Sequence, residues 1–169
     1  NFIGSQLYGR PLEEISRTYE GLPIGIFYGW KTDGLYQTQD DINKDPNIAN
    51  DPRRTAGLIE PGDVRFIDVN GDGKIDDSDR VNIGSPHPKM VYGFNADFNY
   101  KGFDLGLFFL GNAGVKIYNA DRMQGLDPTY SFNMYEEVKN RWTGPGTSNS
   151  IPRMTTRRNN RNYRTSDMF

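Results

Sequence analysis

The sequence predicts an all-β chain, rich in loops and carrying a few short helices, built around one long antiparallel hairpin. Three observations carry that expectation. Between Tyr92 and Tyr100 apolar and polar residues alternate strictly, a two-residue Lys101-Gly102 step follows, and Phe103 to Leu110 alternates again, which is the pattern of a two-residue β-hairpin. Turn-formers are plentiful, with 19 Gly and 10 Pro in 169 residues. Hydrophobic residues make up only 35% of the chain, yet aromatics reach 13%, a balance that suits short strands and many turns better than a large aliphatic core.

The remaining composition narrows the function classes. The formal net charge is −2, so nothing favours nucleic acid as a partner. The Arg-rich stretch from Arg153 to Arg164 reads either as a solvated loop face or as a phosphate site, and the acidic total favours the first. With no Cys and a single His, His87 between two prolines, neither a disulfide nor a common zinc site is expected. No apolar run reaches the ~20 residues of a spanning helix. The chain starts at Asn-Phe-Ile-Gly, without an initiator Met or a leader pattern, which reads as a mature or excised piece.

Along the chain, Phe2 to Tyr8 reads as a strand end and Pro11 to Tyr19 as a short helix. Pro23 to Trp30 reads as a strand, followed by an Asp33-Gly34 turn. Gln39 to Asn50 holds one or two helical turns and then loop, and Asp51 to Gly62 reads as a polar connection bounded by Pro. Asp63 to Asp68 mixes polar and apolar residues as a strand does. After Gly111 the chain turns irregular, with a short polar Asn119 to Gln124. Met134, Val138 and Trp142 recur at helical spacing. Thr143 to Ser150 is a loop, and no internal repeat is visible.

The two faces of the hairpin differ. One carries Tyr92, Phe94, Ala96, Phe98 and Tyr100 with Phe103, Leu105, Leu107 and Phe109. The other is mostly Gly, Asn and Asp. Each arm has about the ~9–11 residues of a tilted membrane strand. Apolar to lipid, polar to a wet lumen and aromatics at the ends is what an outer-membrane barrel wants. A soluble sandwich is the other reading, with the same apolar face under a second layer. The near-absence of β-branched residues in both arms favours the barrel.

Asp68-Val-Asn-Gly-Asp-Gly-Lys-Ile-Asp-Asp-Ser-Asp79 matches the calcium-loop spacing. Asp68, Asn70, Asp72 and Asp76 stand at positions one, three, five and nine, Lys74 offers its carbonyl at position seven, and Asp79 closes the loop at position twelve. A hard cation needs six or more converging oxygens, and a tight turn delivers alternate side chains to one centre. Gly73 allows the sharp turn, and Ile75 faces away into an apolar layer. The flanks are not helical, since Arg80 to Pro88 is broken by Gly and two Pro, and Asp79 is a methylene shorter than the usual Glu. Calcium is therefore the expected ion with magnesium as its rival, and a solvated Asn-Gly/Asp-Gly turn without an ion remains the other reading.

Four ordered segments resemble the SusC/RagA family of TonB-dependent transporters: Gly21 to Gln37, Pro61 to Ile75 with Asp79, Ile83 to Pro88 with Tyr92-Gly-Phe94, and Arg141-Trp-Thr143 with Ile151-Pro-Arg153. Together they span most of the chain. The resemblance implies a piece of a barrel of about 22 strands with a plug in its lumen. Residues 10–90 and 112–169 would then be extracellular loop segments, with the acidic loop at 68–79, and 91–111 a transmembrane hairpin. It also implies an outer-membrane location in a Bacteroidetes-like cell and a SusD-like surface lipoprotein as lid. TonB coupling would act through the plug, and the cargo would be an oligosaccharide or peptide. In that setting the metal would be a structural clip. Tyr28, Trp30 and Tyr36 either stack on cargo sugars or pack the loop's own core. The rival is a secreted, calcium-stabilised β-rich glycan-binding or adhesion module. No nucleophile or base with a partner stands out, so no enzyme is expected.

Overall fold

A computed structural model describes residues 6–7, 10–11, 16–18, 20–129, 133–156 and 162. It is β-rich with a few short helices, as the composition predicts. The chain divides into two compact units. One takes the described residues up to Phe27 and Gly84–Ile117, and the other takes Tyr28–Ile83 and the described residues from Tyr118 onward.

The first unit contains the hairpin. β1 (Gln6–Leu7) pairs with β2 (Arg10–Pro11), and β3 (Ser16–Arg17) pairs with Ile26 and Phe27 of β4 (Ile26–Trp30), both antiparallel. The helix expected over Pro11 to Tyr19 is therefore replaced by strand at Pro11 and at Ser16–Arg17, while 12–15 and 19 lie outside the described residues. A short strand pair completes backbone bonds across the turn that follows, where Gly25 N–H also donates to Thr18 Oγ1 at 3.1 Å.

Strands β8 (Met90–Tyr100) and β9 (Phe103–Ala113) pair in unbroken register from Met90↔Ala113 to Tyr100↔Phe103. The turn residues Lys101 and Gly102 have φ of 47° and 84°, and positive φ at both central positions suits the twist of a hairpin. This register sets Phe94 against Phe109, with ring centroids 6.2 Å apart, Ala96 against Leu107 and Phe98 against Leu105 on one face. Asn95, Asp97 and Asn99 share the other with Asp104, Gly106 and Phe108. The apolar row is open along its whole length. Phe103 is 81% and Tyr100 69% exposed, and only Ala96 is half-buried. Among the described residues no second layer covers it. Eleven residues at ~3.4 Å each and a tilt of ~45° give a height of ~26 Å, matching the apolar band of an outer-membrane barrel. At the base, Lys116 N–H donates to the Ser85 carbonyl at 2.9 Å, and Lys89 N–H to Ala113 at 2.9 Å.

The second unit has its own core of Trp30, Leu35, Tyr36, Ile42, Ile48, Ile59, Val64, Phe66 and Ile75, with Trp142 packed against it. β5 (Thr32–Leu35) pairs antiparallel with β6 (Val64–Phe66) across a bulge, and β4 neighbours β7 (Arg80–Gly84). The stretch after Asp79, expected to be broken, is thus a strand up to its first Gly. Two Asp-Pro steps fold the chain here, one in the loop expected before Asn50 and one at the start of the supposed polar connection Asp51 to Gly62. Asp45 Oδ1 accepts from Asn47 N at 2.9 Å and opens a 3-10 turn at Pro46–Ile48. Asp51 Oδ1 accepts from Arg53 N at 2.8 Å and opens α2 (Pro52–Thr55). An Asp cap followed by Pro at the first helical position satisfies one orphan amide and removes another. Before them α1 (Gln39–Lys44) starts from a Thr38/Asp41 capping box and buries Ile42.

Past the hairpin, the run read as irregular is α3 (Ala120–Leu126), capped by Asn119. Its Met123 and Leu126 pack with Val138, Tyr118 and Met134 in a second cluster. The face expected from Met134, Val138 and Trp142 splits. Only Glu136–Asn140 is helical, as a 3-10 turn that ends in extended backbone at Arg141, so Trp142 swings to the main core.

Asp63 ties the unit together. It is fully buried. Its Oδ1 accepts from Arg153 Nε at 2.8 Å and Asn162 Nδ2 at 2.9 Å, and its Oδ2 from Glu60 N at 2.9 Å. Burial pushes the Arg153 guanidinium down, but Asp63 and Glu60, the latter 2.5 Å from Nη1, hold it above its ordinary value. Next to it Gly62 has φ of 89°, and a Cβ there would run into the Trp142 ring. Trp142 Nε1 donates to Gln37 Oε1 at 3.1 Å, and Tyr36 exchanges both backbone bonds with Gly62 and Asp63. Three of the four sequence segments singled out above therefore meet here. Of the Arg-rich stretch, Arg153 is a half-buried structural ion, and Arg157, Arg158, Arg161 and Arg164 lie outside the described residues.

Candidate functional site

The acidic loop folds on its own amides. Asp68 Oδ1 accepts from Gly71 N at 2.7 Å and Oδ2 from Gly73 N at 2.6 Å. Asn70 Oδ1 accepts from Asp72 N at 2.9 Å, Asp72 Oδ1 from Lys74 N at 2.9 Å, and Asp76 Oδ1 from Ser78 N at 2.8 Å. Each is a short polar side chain reaching an amide two to five residues on, which bends the chain into successive turns. Burial pushes the Asp68 carboxyl up, but the amides of Gly73 and Gly71 outweigh it and hold its pKa below the usual carboxylate value. Asp79 is fully buried and accepts from Val69 N at 3.0 Å and Asp76 N at 2.8 Å, closing the loop across its base. Lys74 is exposed, with Nζ 4.0 Å from Asp72 Oδ2.

Outside the loop, residues 47–53 clasp it. Asn50 N–H donates to the Gly73 carbonyl at 2.8 Å, and Asn50 Nδ2 to the Asp72 carbonyl at 2.8 Å. Asp68 N–H donates to Asn47 Oδ1 at 3.1 Å, and Ile75 N–H to Asp51 Oδ2 at 3.3 Å. Burial pushes the Asp51 carboxyl up, and Arg53, donating from both its side chain and its backbone, brings it below its ordinary value. Gly73 has φ of 79°, and a Cβ there would stand 2.8 Å from Asn50 Nδ2. Ile75 sits in the main core, turned away from the loop's oxygens. From the other side Trp30 Nε1 donates to the Asp76 carbonyl at 2.6 Å. None of Asn47, Asn50, Asp51 and Arg53 was singled out by loop spacing, although the paired Asp-Pro caps and interleaved Asn mark that segment as a rigid support.

The structure thus draws all six expected oxygen-bearing residues into one compact loop. The side chains of Asp68, Asn70, Asp72, Asp76 and Asp79 turn to amides, and among the described residues no group of three or more His, Cys, Asp or Glu is placed to hold a metal ion. The donor set is nevertheless that of a hard cation, all oxygen and mostly carboxylate. A carboxylate offers about four acceptor positions, so one amide bond does not exhaust it.

Two of the three aromatics considered for sugar stacking are taken up elsewhere. Trp30 and Tyr36 are buried in the core, and Tyr36 OH donates to Asp45 Oδ2 at 2.7 Å. Burial, then the Asp45 bond, pushes that hydroxyl's pKa well up. Neither ring has a face open to a ligand, because burying large aromatic area outweighs exposing it. Tyr28 is half-buried with the Arg80 guanidinium 5.0 Å from its ring centroid, and the same guanidinium lies 5.0 Å from Trp30.

No family model matches the chain. Two proteins of Formosa agariphila do. TonB-dependent receptor P3 is 35% identical over 141 residues, which is 82% of this chain and 13% of the relative. TonB-dependent receptor P26 is 31% identical over the same shares. The chain is related to the TonB-dependent receptors. It spans 13% of the length of each of these relatives, and its long hairpin and short strands are those of a β-rich segment of such a receptor.

Proposed function

We propose that the chain is a wall-and-loop segment of an outer-membrane TonB-dependent importer of the SusC/RagA type. The observation that supports this best is the open apolar row of β8 and β9, set against a face mostly of Asn, Asp and Gly that also carries Phe108 and Leu110. In this reading the row meets outer-membrane lipid and the opposite face meets the lumen. The two-residue turn lies on the periplasmic side, and the chain stretches flanking the hairpin form outward-facing loops that meet a SusD-like surface lipoprotein. The cargo is an oligosaccharide or a peptide, energised by TonB through the plug of the whole receptor. Transport of this kind needs no catalytic group. In aqueous buffer the isolated chain is expected to self-associate through the row, and detergent is expected to disperse it, as light scattering reads. A stable soluble monomer without detergent would instead favour the secreted binding-module reading.

Within that segment the acidic loop is a structural calcium clip, with magnesium as the competing ion. Asp68, Asn70, Asp72 and Asp76 would hold the ion through side chains and Lys74 through its carbonyl, with Asp79 closing the set. The ion would neutralise five carboxylates that otherwise repel one another. Binding to the folded state alone raises stability by about 2.7 kcal/mol at a hundredfold excess over Kd. Titration with Ca²⁺, then Mg²⁺, is expected to raise Tm and to change Trp30 emission, because its indole bonds the loop. An unchanged Tm at millimolar ion removes the clip but leaves the importer reading intact.

A further inference from the structure

Asn70-Gly71 is the one Asn-Gly step in the chain. At such a step the backbone nitrogen approaches the preceding carboxamide with least obstruction, because Gly has no Cβ. Attack of Gly71 N on Asn70 Cγ forms an N–Cγ bond, breaks the Cγ–Nδ2 bond and releases ammonia, which carries away the amide proton. Water then opens the cyclic imide at either carbonyl, leaving an aspartyl or isoaspartyl linkage at position 70. Both residues are exposed, and a Cβ at 71 would meet nothing within 4 Å, so water reaches the site.

Two contacts oppose the first step. Gly71 N–H donates to Asp68 Oδ1 at 2.7 Å. The nitrogen becomes a nucleophile only as its proton leaves, and the resulting negative charge would stand against a carboxylate oxygen, where like charges repel strongly. Asn70 Oδ1 meanwhile accepts from Asp72 N at 2.9 Å, which holds the carboxamide toward residue 72. We propose that Asn70 is a latent deamidation site that the Asp68 carboxylate keeps closed while the loop is folded. Opening the loop releases both restraints. Conversion then adds a negative charge to a stretch that already holds five carboxylates. The isoaspartyl product also lengthens the main chain by a methylene and breaks the spacing of the loop's oxygens. The modification thus records loop opening and makes it permanent.

The test follows position 70 by peptide mass spectrometry and an isoaspartyl assay, on the chain kept in detergent at mildly alkaline pH. A chelator is present throughout, so the outcome does not depend on the clip. Native chain, the same chain in urea, Asp68→Asn and Asp79→Asn are compared. The urea sample and Asp68→Asn are expected to convert about tenfold faster than native, and Asp79→Asn, which loosens the loop base but keeps Asp68, at a rate between native and urea. The native-to-urea comparison needs no variant to fold. Equal rates in native chain and urea overturn the proposal. So does Asp68→Asn at the native rate, or Asp79→Asn slower than native.

Discussion

Replacing Asp63 by alanine is expected to destabilise the second unit by about 3–5 kcal/mol, the usual cost of removing one partner from a buried ion pair. The carboxylate is fully buried and receives Arg153, Asn162 and the Glu60 amide. Without it, Glu60 is the counter-charge left to the Arg153 guanidinium among the described residues. The Asn162 amide and Glu60 N–H, both inside the unit, lose their acceptor as well. Asp63→Asn is expected to cost less, since one oxygen still accepts. Equilibrium urea unfolding followed by tryptophan emission measures both, because Trp30 and Trp142 both pack in this core. A loss below about 1 kcal/mol, the scale of an exposed pair, would show that water reaches the carboxylate.

The second large effect concerns the hairpin. Leu107 pairs with Ala96 near the middle of the apolar row. Arginine at position 107 is expected to cost about 2–4 kcal/mol of folding into lipid, the penalty for a cation at the bilayer midplane. Asp97 lies one residue along, on the opposite face and across from Gly106. Asp97→Arg is expected to change folding little, because in the proposed orientation that face meets water in the lumen. Unfolding of the whole receptor in lipid vesicles gives the two values. Similar costs at both positions would mean that the row does not face lipid, whereas a large gap between them fixes which face does.

How much of this was legible in the sequence depended on how local the determinants are. The hairpin was readable down to its register. A two-residue turn with positive φ leaves one pairing open, and strict alternation leaves one face apolar, so both arms are specified by neighbours in sequence. The core of the second unit was not readable. Its strands span three to five residues, too few to show a period, and it closes through Gly62 with Arg153 and Gln37 with Trp142, pairs set far apart in the chain. The window that ended at Gln124 hid α3, since the apolar spacing becomes visible only when Met123 is read with Leu126. The acidic loop was legible as a pattern, and Ile75 went inward as its place in the pattern requires. The directions of its oxygens were not, because the nearest donors to each carboxylate are amides a few residues on. Aromatic residues were ambiguous by nature, and only packing put Trp30 and Tyr36 inside.

The bond between Lys116 and Ser85 sets the two ends of the hairpin side by side. A duplication, deletion or exchange of sequence on either flank need only return the backbone to those two neighbouring points. Insertions and losses on either flank are therefore tolerated without disturbing the ladder between the two arms, so long as both ends come back to that bond.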